Sequence, residues 1–412
     1  MRQILSFLFI SVTFFASGQL TEQLKSPPYY IKTASIDNFQ RPFYSNIIEL
    51  NRTFQLSFDD LQADEKDYYY KILRFDEHWK PTALQVSEYI DGYDSDIITD
   101  MKQSTGTLQS YMHYSVSFPN ENTRILLSGN YIIQILNDND EIIFSKAVVL
   151  YEKKIETGIQ VRWPDDVSVS REKQQIDLYL YPGSFNIQNE SSNLTLILIQ
   201  NKKWQEVKTF HSPTYYQGSK WIYRDSKKAL FDGLNEYRRF ETKDLRGTNY
   251  NIVKRERIEN LYDFYVYPDT PRLRYLFYED ADGCYYINSV QAEDDTHTEA
   301  DYVYVHFNFN AAVDEKEKIY VTGDFNNYQT NENNRLKYNP DTGFYEAVLL
   351  LKQGYYEYLY QTEKNGKFSF VPIEGNFSET ENTYELIVYY HAPGKRYTEV
   401  IGYGKATSLQ MK

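Results

Sequence analysis

The chain has 412 residues, with 44 Lys and Arg against 58 Asp and Glu and a formal net charge of −14. That acidity makes nucleic acid and anionic membrane surfaces poor partners, because a phosphate-binding face needs clustered Lys and Arg. A single Cys excludes an internal disulfide, and 41 Tyr against 24 Phe and 4 Trp favour a strand-rich body, since Tyr packs its ring on a half-buried sheet while its hydroxyl reaches water.

Residues 1–18 read as a secretory signal peptide: a short basic start, an apolar run over 4–16, and the small residues Ala16, Ser17 and Gly18 at the cleavage point. The mature chain is expected to begin at Gln19 and to work outside the cytoplasm, with no Cys at its start to carry a lipid. The later apolar runs, 194–199 and 347–351, fall far short of the roughly 20 residues a spanning helix needs, so no membrane insertion of its own is expected.

The rest of the chain alternates with period two. Such segments cover 68–75, 111–118, 130–136, 176–181, 301–310, 355–361 and 383–390. In 301–310 one parity is Val303, Val305, Phe307 and Phe309, and the other is Tyr302, Tyr304, His306 and Asn308. Tight connections between antiparallel strands are expected at Asn137-Asp138-Asn139-Asp140, Asp282-Gly283, Asn339-Pro340-Asp341-Thr342-Gly343 and Asn365-Gly366. No long segment has helical period, so the fold class is all-β, with three tandem β-sandwich modules of immunoglobulin-like or early-set type. Polar stretches at Glu152-Lys153-Lys154 and at 293–299 place the modules at 25–152, 153–295 and 299–404. Gly129 and Gly354 each open a strand that carries Tyr and runs into an Asn-containing turn, a faint echo between the first and third modules.

Catalytic patterns are missing. His78, His113, His211, His297, His306 and His391 are dispersed, without the paired spacing a metal needs. No GxSxG elbow occurs, and Cys284 reads as a structural thiol. Asp59 and Asp60 are neighbours on a strand, which points them to opposite faces and makes them a poor acid–base pair. The run Asp280-Ala281-Asp282-Gly283 lacks the further ligands of a calcium loop and reads as a hairpin turn. No catalytic residue, metal or cofactor is therefore expected.

The stretch Gly323-Asp324-Phe325-Asn326-Asn327-Tyr328, followed by Gly343-Phe344-Tyr345 and Gly354-Tyr355-Tyr356, resembles early-set modules that include glycogen-binding domains. In those modules a Trp follows the Gly-Asp-Phe-Asn turn and stacks on sugar; here Tyr328 stands in its place. The resemblance implies a carbohydrate-binding alternative that would use Tyr328, Tyr345 and Tyr356.

A second resemblance spans most of the chain. Its markers are Leu56-Ser57-Phe58-Asp59-Asp60-Leu61, Trp79, Glu88-Tyr89-Ile90-Asp91-Gly92-Tyr93, His113-Tyr114, Phe118-Pro119-Asn120 and Ser128-Gly129-Asn130-Tyr131, then Gln200-Asn201-Lys202-Lys203-Trp204, Asn235-Glu236-Tyr237-Arg238, Lys352-Gln353-Gly354-Tyr355 and Glu374-Gly375-Asn376-Phe377. In this order they resemble the Plug protein family of the type IX secretion system of Bacteroidota. That family usually shows His-Cys before the Trp, where this chain has Arg74-Phe75 before Trp79. The resemblance implies a non-enzymatic periplasmic protein whose partner is the outer-membrane translocon barrel. It would occlude the barrel's periplasmic opening.

Overall fold

Alternation becomes strand wherever one side of the chain can be buried. The computed structural model describes residue 20 and residues 23–37, 39, 45–311 and 317–410; the expected signal peptide lies outside them. Strands take up 47% of the structure and helix 8%, which makes it all-β and sandwich-like. Strand Tyr302–Phe309 follows its pattern closely, with Val303, Val305, Phe307 and Phe309 buried and Tyr304 exposed. The turns at 137–140, 339–343 and 365–366 join adjacent antiparallel strands, and Asn365 and Gly366 both have the positive φ that such a two-residue turn requires.

The first module pairs its own strands. One sheet orders Ile31–Asp37, Phe54–Asp60, Met112–Phe118 and Asp100–Gln103; the facing sheet orders Ile47–Glu49, Ile142–Tyr151, Gly129–Leu136, Tyr69–Phe75 and Ser95–Ile97. Between them lie Leu56, Phe58, Ile72, Tyr114, Tyr131, Ile133 and Phe144. Phe58 stacks on Tyr114 at 5.2 Å and meets the edges of Tyr68 and Phe144.

The later strands do not follow the expected divide between 153–295 and 299–404. In the middle sandwich, Leu194–Gln200 is flanked by Lys208–Phe210 and by Thr383–Tyr390, which in turn pairs with Glu399–Thr407. The opposing sheet is Glu156–Arg162, Lys173–Tyr181, Lys220–Tyr223 and Tyr215–Gln217, with Leu230–Asp232 beside Lys173–Tyr181. In exchange, Arg238–Glu241, Ile252–Ile258, Leu261–Val266 and Tyr285–Ile287 join Tyr302–Phe309, Phe344–Lys352 and Gly354–Lys364 in a third sheet. That sheet folds over on itself, since Phe240 near one end lies 5.5 Å from Phe307 near the other. The physical reason is burial: Leu194–Gln200 is apolar on both faces, so it needs a neighbour on either side and a layer above and below. The turn Asp282-Gly283 is likewise no hairpin; it lies in the long connection between Leu261–Val266 and Tyr285–Ile287.

Apolar joints lock the modules together. Phe75, Trp79, Ile132 and Val149 of the first module pack on Ile197, Ile199, Ile387, Tyr389 and Val400 of the middle one, with Leu20 in the same cluster. Trp79 meets Trp204 edge-on at 5.7 Å. Arg74, one of the two residues that depart from the family pattern, donates to the carbonyls of Ser128 at 2.8 Å and Thr398 at 2.7 Å and so crosses this joint. The echo between modules has a structural form. Tyr131 donates to Leu127 O and Tyr356 to Lys352 O, each at 2.6 Å and each four residues back, the corner by which sandwiches fasten the start of a strand. Tyr is the main core-building residue: among the described residues, the largest fully buried side chains are Trp79 and eleven tyrosines.

Candidate functional site

The three tyrosines of the carbohydrate alternative are not brought together as ring faces for a sugar. Asn327 and Tyr328 both adopt left-handed backbone, which turns the chain back after the helical turn Asp324–Asn326. Tyr328 is thereby 6% exposed, its hydroxyl 2.9 Å from that of Tyr237 and lying over Gly283, where a Cβ would come within 2.2 Å of it. Tyr356 is buried between Phe240 and Tyr285, stacked on both faces at 5.4 and 5.6 Å. Tyr345 is half-buried on another strand, beside Tyr338. A sugar platform needs an open ring face, and neither Tyr328 nor Tyr356 has one.

Asp59 gathers a more telling constellation. Its strand ends where the first module meets the third sheet, and its carboxylate accepts from Tyr302 and Lys352, each at 2.6 Å, with His113 Nδ1 also at 2.6 Å. Burial works against its charge, yet Lys352 and His113 hold the Asp59 carboxyl below its usual range. Burial also lowers the Lys352 amine, but three donors on one carboxylate favour the ionised pair. The Asp59–His113 contact joins two neighbouring strands of the first module, whereas Tyr302 and Lys352 reach Asp59 across the joint from the third sheet. Asp60 leaves the opposite face and pairs with Lys66 at 2.7 Å and Tyr68 at 2.9 Å. Sequence reasoning placed the two aspartates on opposite faces; it could not show that both faces are covered.

The loop at 280–284 is held from below. Glu357 accepts from the amides of Ala281 and Gly283 at 2.7 and 2.8 Å, and Asp280 accepts from Asp282 N at 3.0 Å. Burial, together with the neighbouring carboxylates, raises Asp280 and Glu357 above the ordinary carboxylate range. Cys284 is buried beside Lys202, whose Nζ is 3.1 Å from Sγ and 3.2 Å from Asp324. Burial pushes the thiol up to about 12, so it is inert as a nucleophile at neutral pH. Among the described residues no group of three or more His, Cys, Asp or Glu is placed to hold a metal ion. A cavity of about 180 Å³ opens where the modules meet, lined in part by Lys146, Trp204, Tyr285 and Asp324. Burial lowers the Lys146 amine to about 8, which weakens any fixed positive charge there.

These polar groups are therefore spent on joining strands and modules. Residues 31–152 match the family model described as type 9 secretion system plug protein 1st domain. The first module is thus similar to the first domain of type IX secretion plug proteins. That ties it to type IX secretion. A hypothetical protein from Parabacteroides merdae ATCC 43184, known from its crystal structure, is 27% identical with a TM-score of 0.88, covering 93% of this chain and 98% of its own. Two further solved structures are far less alike. A biofilm associated protein BSP domain is 7% identical at a TM-score of 0.18, over 93% of this chain and 59% of its own. The Bacteroides ovatus mixed-linkage glucan utilization locus SGBP-B, in complex with a mixed-linkage heptasaccharide, is 11% identical at 0.14, over 80% and 75%. Likeness this low carries no argument about ligands. No curated protein matches the chain.

Proposed function

We propose that the protein is a non-enzymatic periplasmic plug that closes the periplasmic opening of the type IX translocon barrel in the outer membrane. The observation that carries this reading is the plug-family first domain at 31–152. The architecture supports it physically: a barrel wide enough for folded cargo leaks solutes unless a stiff body fills its mouth. Strand exchange between the middle and third modules, and the dry joint around Trp79, Ile197 and Ile387, make such a body. The buried Tyr328 and Tyr356 leave the carbohydrate alternative without its stacking rings. Affinity purification of tagged protein from native outer membranes tests the reading. The translocon barrel should be recovered, chiefly in particles lacking cargo-handling partners; its absence from the purified material would count against a plug.

A further inference from the structure

Residues 271–278 reverse the usual logic of a surface loop. Every third residue is fastened inward. Arg272 donates repeatedly: its amide to Ile373 O at 2.8 Å, Nε to Glu374 at 2.7 Å and Nη1 to Glu236 O at 2.6 Å. Tyr275 donates to Glu236 Oε1 at 2.6 Å and Tyr278 to Tyr237 O at 2.8 Å. Gly375 closes on the loop from below with φ +76°, and a Cβ there would stand 2.7 Å from Arg272 O. The apolar residues between these anchors face solvent: Leu273 is 83% exposed, Leu276 72% and Phe277 53%. A loop so pinned keeps its apolar side chains in place without a partner, and the ordering cost of binding is already met.

Charge narrows what would cover it. The loop borders an open groove of about 580 Å³ whose charged lining is Arg238, Arg239, Arg272, Arg274 and Asp269. Arg238 and Arg272 are neutralised by Asp269 and the buried Glu374. Arg239 lies against the rings of Tyr250 and Tyr278, and among the described residues neither it nor the exposed Arg274 forms an ion pair. Two guanidinium groups without an acidic partner among the described residues, beside exposed Leu and Phe, are out of character for a chain of net charge −14. Arg and aromatic residues around an apolar centre make up the energetic core of protein interfaces. A bilayer fits less well, because peripheral membrane anchors set a basic surface along an amphipathic helix, and this loop is not helical.

We infer that loop 271–278 and the groove beside it form the docking face for a segment of the translocon barrel's periplasmic rim that carries a carboxylate between apolar side chains. This rests on the plug reading. The test uses the full-length tagged protein in its native host, with the barrel detected by immunoblot in the purified material. Substituting Leu273→Ser, Leu276→Ser and Phe277→Ser together should cut barrel recovery about tenfold or more, as loss of hot-spot side chains does. Arg274→Glu should cut it separately. Val167→Ser, at another exposed apolar residue of the middle module, should leave it unchanged. Unaltered thermal melting would show that the variants fold. Wild-type capture with equal capture by the loop variants would overturn the inference and leave the plug reading standing. Failure of wild-type protein to capture the barrel would remove both. Binding of the purified protein to vesicles of equal parts phosphatidylethanolamine and phosphatidylglycerol, lost in the triple variant, would assign the loop to lipid and overturn the inference too.

Discussion

The first module and the remainder of the chain reach the same kind of β core by different routes. Between Ile31 and Tyr151 each strand pairs within its own stretch of sequence. Beyond residue 152, the strand at the centre of the middle sandwich, Leu194–Gln200, finds its neighbour at Thr383–Tyr390, after the third sheet has been built in between. A contiguous module can be matched by a family model on its own, as 31–152 is. An interleaved pair can only fold, and fail, as one unit.

Truncation tests this contrast most severely. A chain ending at residue 382 lacks Thr383–Tyr390 and Glu399–Thr407 and strips one side of Leu194–Gln200. Limited proteolysis should then destroy everything beyond residue 152 and spare a fragment near 25–152. Survival of 153–382 would break the comparison.

Next in size is the buried charge that stiffens the third module. Glu374 is fully buried beneath Arg238 and Arg272, which together hold its carboxyl below the usual range despite burial. Glu374→Gln leaves both guanidinium groups short of their counter-charge and should cost about 3–5 kcal/mol in urea unfolding. The Leu56→Ala change in the first module removes only packing and should cost about 2–5 kcal/mol. Because the first module pairs its own strands, that loss should shift its transition more than that of the later modules.

The smallest effect is a pH dependence at the joint. Burial, followed by the charges of His113 and Lys352, lowers His297 from its usual pKa. Between the lowered value and the unfolded value of roughly 6.5, the unfolded chain binds more protons. The stabilisation is therefore present above about pH 6.5 and is lost as pH falls through the folded-state value. Thermal melts from neutral to mildly acid pH should show this slope, and His297→Gln should flatten it. An unchanged slope would place the acid sensitivity elsewhere.

How much of this was legible in the sequence follows the same contrast. Tyr302–Phe309 announces itself because only one of its faces is dry, and Asn365-Gly366 because the turn demands residues that tolerate positive φ. Leu194–Gln200 and Thr383–Tyr390 are buried on both faces, so their sequences say strand but carry no mark of which neighbour each will take. Tyr328 read as a ring presented at a turn because nothing local shows that two consecutive left-handed residues fold it back over Gly283. The loop at 271–278 was missed for a related reason: Arg272, Tyr275 and Tyr278 look like surface residues until Glu236 and Glu374, distant in sequence, come up beneath them.

The most direct measurement of the central claim is the permeability of the outer membrane in cells lacking the gene, in a strain with no second copy. If the protein seals the barrel, the barrel should still assemble, and vancomycin, which intact outer membranes exclude, should enter and arrest growth. Cells that keep an assembled barrel and remain as resistant as the parent strain would contradict the account.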